Sequence, residues 1–172
     1  MYKINDYIFY GNSGVCMIKD ICTPQINGIN KDKKYYVIEP VYSKGNIIYT
    51  QIDNQTKIIR TLISKEEAIE LIEQIPSIKM IWISDNKARE ETYKEGMKCF
   101  DSYECVKIIK SIYLRGQEKS VEGKRLSSLD EKYKHLAEDC LYGELAVILD
   151  LPKEEIQNFV MEKINQQLFS KN

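Results

Sequence analysis

The spacing of apolar residues changes once along this chain, at Ser64, and that change constrains the fold more than any other feature. Before Ser64, short runs rich in Ile, Val, Tyr and Thr alternate with turn clusters, a pattern typical of β-strands. After Ser64, apolar residues recur at helical spacing. The sequence therefore predicts an α+β protein, with a small β region followed by a helical one.

The β region contains five short runs that predict strands, separated by breaks rich in Gly, Asn and Asp. So many short strands in so few residues imply a strongly bent antiparallel sheet or a small barrel. In the first break, Gly11 and Gly14 supply the positive-φ positions that a tight β connection needs. The predicted strands are Tyr7–Tyr10, Val15–Ile21, Tyr35–Val41, Ile47–Ile52 and Lys57–Leu62.

The helical region begins with a capping box, in which Ser64 is the N-cap and Glu67 the third helical residue. Pro76 ends this first helix, and the residues from Pro76 to Ser84 form a predicted hinge. Further helices are predicted near residues 85–99, 102–115, 127–148 and 151–168.

Two more signals divide the helical region. Ser128 and Glu131 form a second capping box, and Gly116 and Gly123 flank a predicted polar loop. We predict three segments, which are a β domain at 1–63, a helix and hinge at 64–84, and a helical domain at 85–172.

The net charge of −1 excludes a protein that binds nucleic acid through its overall charge. Charge is nevertheless uneven, because residues 107–125 hold six basic and two acidic groups, whereas residues 130–172 hold five basic and nine acidic ones. A helical domain with this distribution can turn one face towards a phosphate backbone. An ordinary solvated surface is the alternative.

The cysteines and the single histidine predict neither a disulfide framework nor a metal site. The five cysteines are widely spaced and odd in number, and His135 has no cysteine close to it in sequence. No cofactor is predicted. The N-terminus is polar, and no apolar run approaches the ~20 residues of a membrane span, so we expect a cytoplasmic protein.

No pattern of residues predicts catalysis. The pair Gly11 and Gly14 lacks the Lys-Ser/Thr that follows in a phosphate-binding loop, and one histidine cannot supply several acid–base roles. We therefore predict that the chain is not an enzyme. An enzyme with a Cys or Tyr nucleophile would need a polar cleft that contains a perturbed titratable group.

An ordered set of motifs runs through both regions. In the β region these are Gly11–Val15, Lys34–Pro40 and Ile48–Asn54. In the helical region they are Trp82 and the segments 85–95, 108–115 and 137–146. Taken in this order and at these domain sizes, the set resembles the CarD/CdnL family of bacterial transcription regulators.

The resemblance implies an N-terminal small five-stranded Tudor/SH3-like β-barrel followed by a C-terminal all-α helical domain. The barrel is similar to the RNA polymerase-interaction domain of the transcription-repair coupling factor, and family members are not enzymes. In the family, an exposed strand edge joins the polymerase β subunit. The helical domain contacts promoter DNA non-specifically at the upstream edge of the bubble, where a tryptophan wedges into the minor groove and stabilises the open complex.

Carried over to this chain, the resemblance implies a bacterial, monomeric regulator with RNA polymerase and promoter DNA as partners and no membrane partner. Tyr49 stands where many members have an arginine, and Trp82 lies about one helical turn from its place in other members. The implied polymerase-binding residues are Ile48, Tyr49, Thr50 and Gln51. The implied DNA-binding residues are Trp82, Lys87, Arg89, Lys110 and Arg115.

The residues by themselves leave three alternatives open. The run Ile47–Ile52 could be an internal strand, and Trp82, lying among Ile and Met, could be a core anchor. The whole chain could also be a Tudor/SH3-like adaptor whose helical half binds another protein and makes no contact with DNA. The regulator and the adaptor differ in whether the basic groups of 107–125 share a face with Trp82.

Overall fold

The computed structural model of the chain describes residues 1–28, 30–53 and 58–170, apart from the side chains of 167–170. The chain divides into two compact units, Met1–Leu62 and Ile63–Asn172. The first unit contains the strands and the second the α-helices, which confirms the α+β class. The first helix and the predicted hinge at 76–84 both fall within the second unit.

The first unit is a five-stranded antiparallel sheet with the strand order β4-β3-β2-β1-β5. Among the described residues, β4 and β5 each pair with a single neighbour and form the two edges, so closure into a barrel stays a prediction. The predicted fifth strand begins at Lys57, which lies outside the described residues. The strands are β1 Tyr7–Tyr10, β2 Val15–Cys22, β3 Tyr35–Pro40, β4 Ile48–Gln51 and β5 Ile59–Thr61.

One face of this sheet carries a cluster of buried hydrophobic residues. Alternate residues of β1, β2 and β3 point to this face, as the two-residue period of a strand requires. The predicted tight connection between β1 and β2 is a single 3-10 turn at Gly11–Ser13, with φ of 44° at Gly11 and 66° at Gly14. The core residues are Ile8, Tyr10, Cys16, Ile18, Tyr36 and Ile38.

The described residues of the second unit form five α-helices, and the predicted capping box at its start is confirmed. The Glu67 N–H donates to Ser64 Oγ at 3.1 Å, and the Ser64 N–H donates to Glu67 Oε2 at 2.7 Å. Pro76 lies in a 3-10 turn, Ile75–Ser77, that follows the first helix. The helices are α1 Lys65–Gln74, α2 Asn86–Met97, α3 Ser102–Val121, α4 Ser128–Leu149 and α5 Ile156–Ser170.

Two predicted boundaries in this unit are wrong. The helix α3 continues through Gly116 to Val121, and the side chain of Leu126 lies beside the glycine. The N-cap of α4 is Ser127 and not Ser128, because Ser127 Oγ accepts from the Asp130 N–H at 3.1 Å and donates to Asp130 Oδ2 at 2.7 Å. The glycine therefore does not end α3, and the local cap of α4 is the residue before the predicted one.

Packing of α3 against α4 forms the core of the second unit, and a buried carboxylate joins that core to the start of the unit. Ile108, Ile112 and Leu145 are at most 1% exposed. Glu144 is also fully buried, and it accepts from Ser102 Oγ at 2.7 Å and from the Ile63 N–H at 3.1 Å. In the part of the chain that the structure describes, no helix is long and apolar enough to cross a membrane.

Candidate functional site

The strand β4 is an edge of the sheet, so the alternative of an internal strand is wrong. Side chains alternate along it, since Thr50 is 3% exposed and packs inward while Tyr49 is 37% exposed. Ile47, just before the strand, is 48% exposed. The edge therefore presents apolar side chains beside its backbone.

The hydrogen-bond phase of β4 shows which of its backbone groups face outward. The Ile52 N–H donates to the Lys34 carbonyl at 3.1 Å, immediately beyond the β3–β4 register. Because antiparallel ladders alternate, Thr50 and Ile48 turn their backbone groups towards β3. Tyr49 and Gln51 turn theirs away from the sheet. Of the four predicted polymerase-binding residues, two therefore offer backbone donors and acceptors to a partner.

Polar contacts hold β4 at both ends. Before the strand, the Gly45 N–H donates to Glu39 Oε1 at 2.8 Å, and this hydrogen bond lowers the pKa of the Glu39 carboxyl. After the strand, Lys33 Nζ donates to Asp53 Oδ2 at 2.9 Å and lowers the pKa of that carboxyl. The edge is therefore fixed before any partner arrives.

In the second unit, Trp82 is 57% exposed, so the alternative of a core anchor is wrong. Its neighbours Ile78 and Ile81 are 5% and 8% exposed and provide the core contacts instead. The guanidinium carbon of Arg115 lies 5.2 Å from the centre of the indole ring, within the range of a cation–π contact. Lys87, in the first turn of α2, is exposed as the resemblance implies.

The segment around Trp82 has no regular secondary structure, yet side chains of α2 and α3 hold its backbone. We call residues 78–84 the Trp82 segment. The Ile81 N–H donates to Ser111 Oγ at 2.7 Å. Carbonyl groups along the segment and the turn before it accept from Lys110, Arg115 and Arg89. These contacts leave the indole ring as the exposed apolar group of a fixed backbone.

Arg89 is 3% exposed and does not face solvent, so its predicted role as a phosphate contact is wrong. Its Nε and one terminal nitrogen donate to Asp130 at 3.0 and 3.3 Å. Its other bonds, of 2.7 to 3.1 Å, go to Asn86 Oδ1 and to the carbonyls of Ile83 and Ser84. These five hydrogen bonds use all five N–H groups of the guanidinium, which leaves none for DNA.

Lys110 and Arg115 are also committed to the protein, so the same correction applies to them. Lys110 Nζ donates to the carbonyls of Ile75, Pro76 and Ile78 at 2.9, 2.9 and 2.7 Å, which uses its three donors. Arg115 is 7% exposed and donates to the Ile83 carbonyl at 3.0 Å. Both cations lie beside the Trp82 segment, but they face inward.

Sequence reasoning missed the roles of three residues that contribute to this region. Lys79 is exposed three positions before Trp82. Asp130 is the buried partner of Arg89, and the buried Tyr93 hydroxyl donates to Asp130 Oδ1 at 3.2 Å. Burial, together with the charge of Asp130, raises the pKa of Tyr93 to about 12. The one available signal was the spacing of Arg89 and Tyr93, which places them on one face of α2.

Two buried groups that could in principle act as nucleophiles, Cys16 and Tyr142, have raised pKa values. Burial raises the pKa of the Cys16 thiol to about 11, and it raises that of the Tyr142 hydroxyl to about 12 with a contribution from Glu138. Activated nucleophiles have lowered pKa values instead. Tyr142 lines a half-open groove of about 320 Å³ between α3, α4 and α5, and most of that lining is apolar.

Comparison with known proteins identifies the first unit. A family model, the CarD-like/TRCF RID domain, matches residues 2–63, which contain all five strands. No curated protein matches the chain. The RID is an RNA polymerase-interaction domain, so the function of the chain is related to transcription through that enzyme. Residues 2–63 are therefore a CarD-like RNA polymerase-interaction domain.

Proposed function

We propose that this protein is a bacterial transcription regulator that binds the β subunit of RNA polymerase and stabilises the open promoter complex. The first unit binds the polymerase through the β4 edge. The second unit contacts promoter DNA non-specifically at the upstream edge of the bubble, where Trp82 enters the minor groove. The observation that carries this proposal is the 57% exposure of Trp82 on a segment whose backbone is held by hydrogen bonds.

The polymerase contact is proposed as strand addition. A sheet edge that presents unpaired N–H and C=O groups can extend a partner sheet, and alternate side chains then supply specificity. In β4 the outward backbone groups belong to Tyr49 and Gln51, and Ile47 and Tyr49 lie exposed beside them. The order of the strands is also compatible with a Tudor/SH3-like barrel, which we propose for this unit.

The DNA contact is proposed as a wedge with few charges around it. An apolar side chain inserted at a base step compensates for lost stacking, a term of a few kcal/mol per step. The exposed Lys79 and Lys87 lie close to Trp82 in sequence and are suited to flanking phosphates. Contacts of this kind read no base sequence, so we expect the protein to act at many promoters.

The remaining features follow from this role. A partner of RNA polymerase works in the cytoplasm of a bacterium, and the proposed contacts need one copy of the chain and no metal or cofactor. We also propose that the protein is not an enzyme, which is supported by the match of residues 2–63 to an interaction-domain family and, for Cys16 and Tyr142, by raised pKa values that disfavour a nucleophile.

Polymerase binding by a Tyr49→Pro variant tests the first half of the proposal. Proline removes an N–H that faces away from β3, a position where a sheet edge tolerates proline. We expect the variant to fold and to bind polymerase at least tenfold more weakly, which corresponds to about 1.4 kcal/mol. Tyr49→Ala is the matched control, because it removes the ring and keeps the N–H. Full binding by the folded proline variant would contradict strand addition.

One observation favours a second candidate, the adaptor. Arg89, Lys110 and Arg115 are bonded within the protein, which leaves little basic surface next to Trp82. In an adaptor the exposed indole would anchor a protein partner, a common role for tryptophan. Crosslinking from position 82 within a polymerase–promoter complex separates the two candidates, since a wedge reaches promoter DNA and an adaptor reaches protein alone.

A further inference from the structure

We propose that Arg115, with Arg89 and Lys110, is a positioning residue that holds the Trp82 ring in its exposed orientation. This inference deepens the proposed function and rests on it, because it assigns the local basic residues to the tryptophan and not to phosphates. Each of the three side chains was predicted to contact DNA, and each instead contacts the backbone on which Trp82 stands.

The three cations act on successive parts of this backbone. Lys110 binds the carbonyls of Ile75, Pro76 and Ile78, before the tryptophan. Arg115, five residues further along α3, binds the Ile83 carbonyl immediately after it. Arg89 reaches the Ile83 and Ser84 carbonyls from α2. The backbone on both sides of Trp82 is therefore bonded to helices that are themselves part of the packed core.

Arg115 has a second contact that the other two cations lack, which is the indole ring itself. Its guanidinium carbon lies 5.2 Å from the ring centre while one terminal nitrogen donates to Ile83. Within the described residues, Arg115 forms no ion pair with a carboxylate, and its buried Nε has no hydrogen-bond partner. A buried cation in this position gains from facing the negative surface of the ring. Its planar fork can bind the carbonyl and stack at once, which an ammonium group cannot do.

This arrangement matters for a wedge because a flexible tryptophan loses conformational freedom when it inserts, and a prearranged one has lost that freedom already. The position of Arg115 also limits what it can do for DNA. A guanidinium that is 7% exposed and lies against the indole cannot also bind a phosphate in solvent. Removing its charge should therefore change the mobility of the ring and leave the salt dependence of DNA binding as it was.

The first experiment uses the full chain without DNA. Trp82 is the single tryptophan, so time-resolved fluorescence anisotropy of the indole reports one ring. We expect Arg115→Gln to add a fast local motion of the ring that wild type lacks. We expect Arg115→Lys to show the same motion, because it keeps the charge and loses the fork. Arg125→Gln, an exposed arginine beyond the end of α3, is the matched control and should match wild type.

The second experiment is a double-mutant cycle. It measures the lifetime of the open promoter complex with wild type, Arg115→Gln, Trp82→Ala and the variant that carries both substitutions. If Arg115 acts through the ring, each single variant shortens the lifetime, and the double variant is no worse than Trp82→Ala. If Arg115 binds phosphate, the two losses multiply. In that case the slope of log affinity for duplex DNA against log salt also falls by ~0.9 in Arg115→Gln.

The outcomes separate this inference from the proposed function. Unchanged indole anisotropy in both Arg115 variants would overturn the inference, as would multiplying losses. Increased motion together with an open complex that is insensitive to Trp82→Ala would support the positioning role and refute the wedge. Circular dichroism checks the fold of each variant. If Arg115→Gln does not fold, Arg115→Lys carries the anisotropy measurement and the cycle.

Discussion

The two candidate contact regions expose opposite parts of the chain. At the β4 edge, backbone groups of Tyr49 and Gln51 point outward, while the side chain of Thr50 is buried. In the Trp82 segment, side chains of the neighbouring helices bond the backbone, and the indole is exposed. The edge should therefore tolerate side-chain changes and be sensitive to proline. The Trp82 segment should depend on one ring and on the residues that hold it.

The comparison also shows how differently the two regions are stabilised. The edge needs only strand pairing within the first unit and polar contacts at its ends. The Trp82 segment depends on buried charges, since Arg89 and Arg115 lie in the core with Asp130 as the carboxylate bonded to Arg89. Buried ion pairs make a structure sensitive to the loss of one partner.

The largest expected effect comes from removing that carboxylate. Asp130→Ala leaves the Arg89 guanidinium buried without its ion-pair partner, so the second unit should lose about 3–5 kcal/mol of unfolding free energy. Asp139→Ala is the control on the same helix. Its ion pair with Lys153 is exposed, and such pairs contribute about 0–1 kcal/mol. Urea unfolding of both variants measures the difference, and equal losses would refute the role given to Asp130.

Alkaline pH should destabilise both units, and the pH at which the loss of stability begins should differ between them. In the first unit, burial raises the pKa of Cys16 from 9.0 to about 11, and in the second unit burial raises that of Tyr93 from 10.0 to about 12. The unfolded chain then releases these protons at lower pH than the folded chain. Stability is therefore complete below the unfolded pKa and declines as pH rises towards the folded one, by roughly 2–3 kcal/mol for each group.

NMR at increasing pH can follow the two units separately. The first unit should begin to lose stability above about pH 9 and the second above about pH 10. Cys16→Ala should remove the earlier decline and leave the later one unchanged. A constant unfolding free energy between pH 9 and 11 would show that Cys16 is not buried as the structure has it.

Proline substitutions sharpen the contrast within β4. Thr50→Pro removes an N–H that faces β3, so the first unit should lose about 1–3 kcal/mol of stability. Tyr49→Pro removes an outward N–H and should change the stability of the isolated protein less. Thermal unfolding of the two variants checks which N–H groups of β4 face β3. A greater loss of stability in Tyr49→Pro would show that the Tyr49 N–H, and not the Thr50 N–H, is bonded to β3.

The smallest expected effect concerns DNA binding by the free protein. Binding should be weak because few exposed cations surround Trp82, and its affinity should fall with rising salt by a slope that reflects a small number of phosphate contacts. Lys87→Gln should lower the slope of log affinity against log salt by ~0.9, the value for one phosphate contact. Arg89→Lys keeps its charge in the interior and should leave the slope unchanged. Tight, sequence-selective binding by the isolated protein would instead indicate an operator-binding protein.

Much of the fold could be predicted because its signals are local. The capping box at Ser64 and the strand patterns before it depend on residues close together in sequence, and both appear in the structure. The boundaries that failed had ambiguous local signals, since Gly116 lies inside α3 and, of two adjacent serines, Ser127 caps α4. Local patterns could not show distant contacts such as that of Asp130 with Arg89, forty-one positions away in sequence.

The candidate site shows the same division. Exposure of Trp82 could not be read from its Ile and Met neighbours, because the ring lies on the opposite side of the segment from Ile81. A count of basic residues likewise cannot separate cations in solvent from cations that bind carbonyls. Lys110 and Arg115 belong to the second kind, so the basic stretch at 107–125 overstated the surface available to phosphate.

The central claim is that Trp82 acts on promoter DNA and not as part of the core. Trp82→Ala, measured for both thermal unfolding and open-complex lifetime, tests this claim most directly. Because the ring is 57% exposed, we expect polymerase binding to be unchanged and stability to fall by no more than about 1 kcal/mol. We expect the open complex to decay about tenfold faster, as a loss of ~1.4 kcal/mol in the closing barrier would give. A loss of about 3–5 kcal/mol in folding stability, with an unchanged open-complex lifetime, would contradict the account.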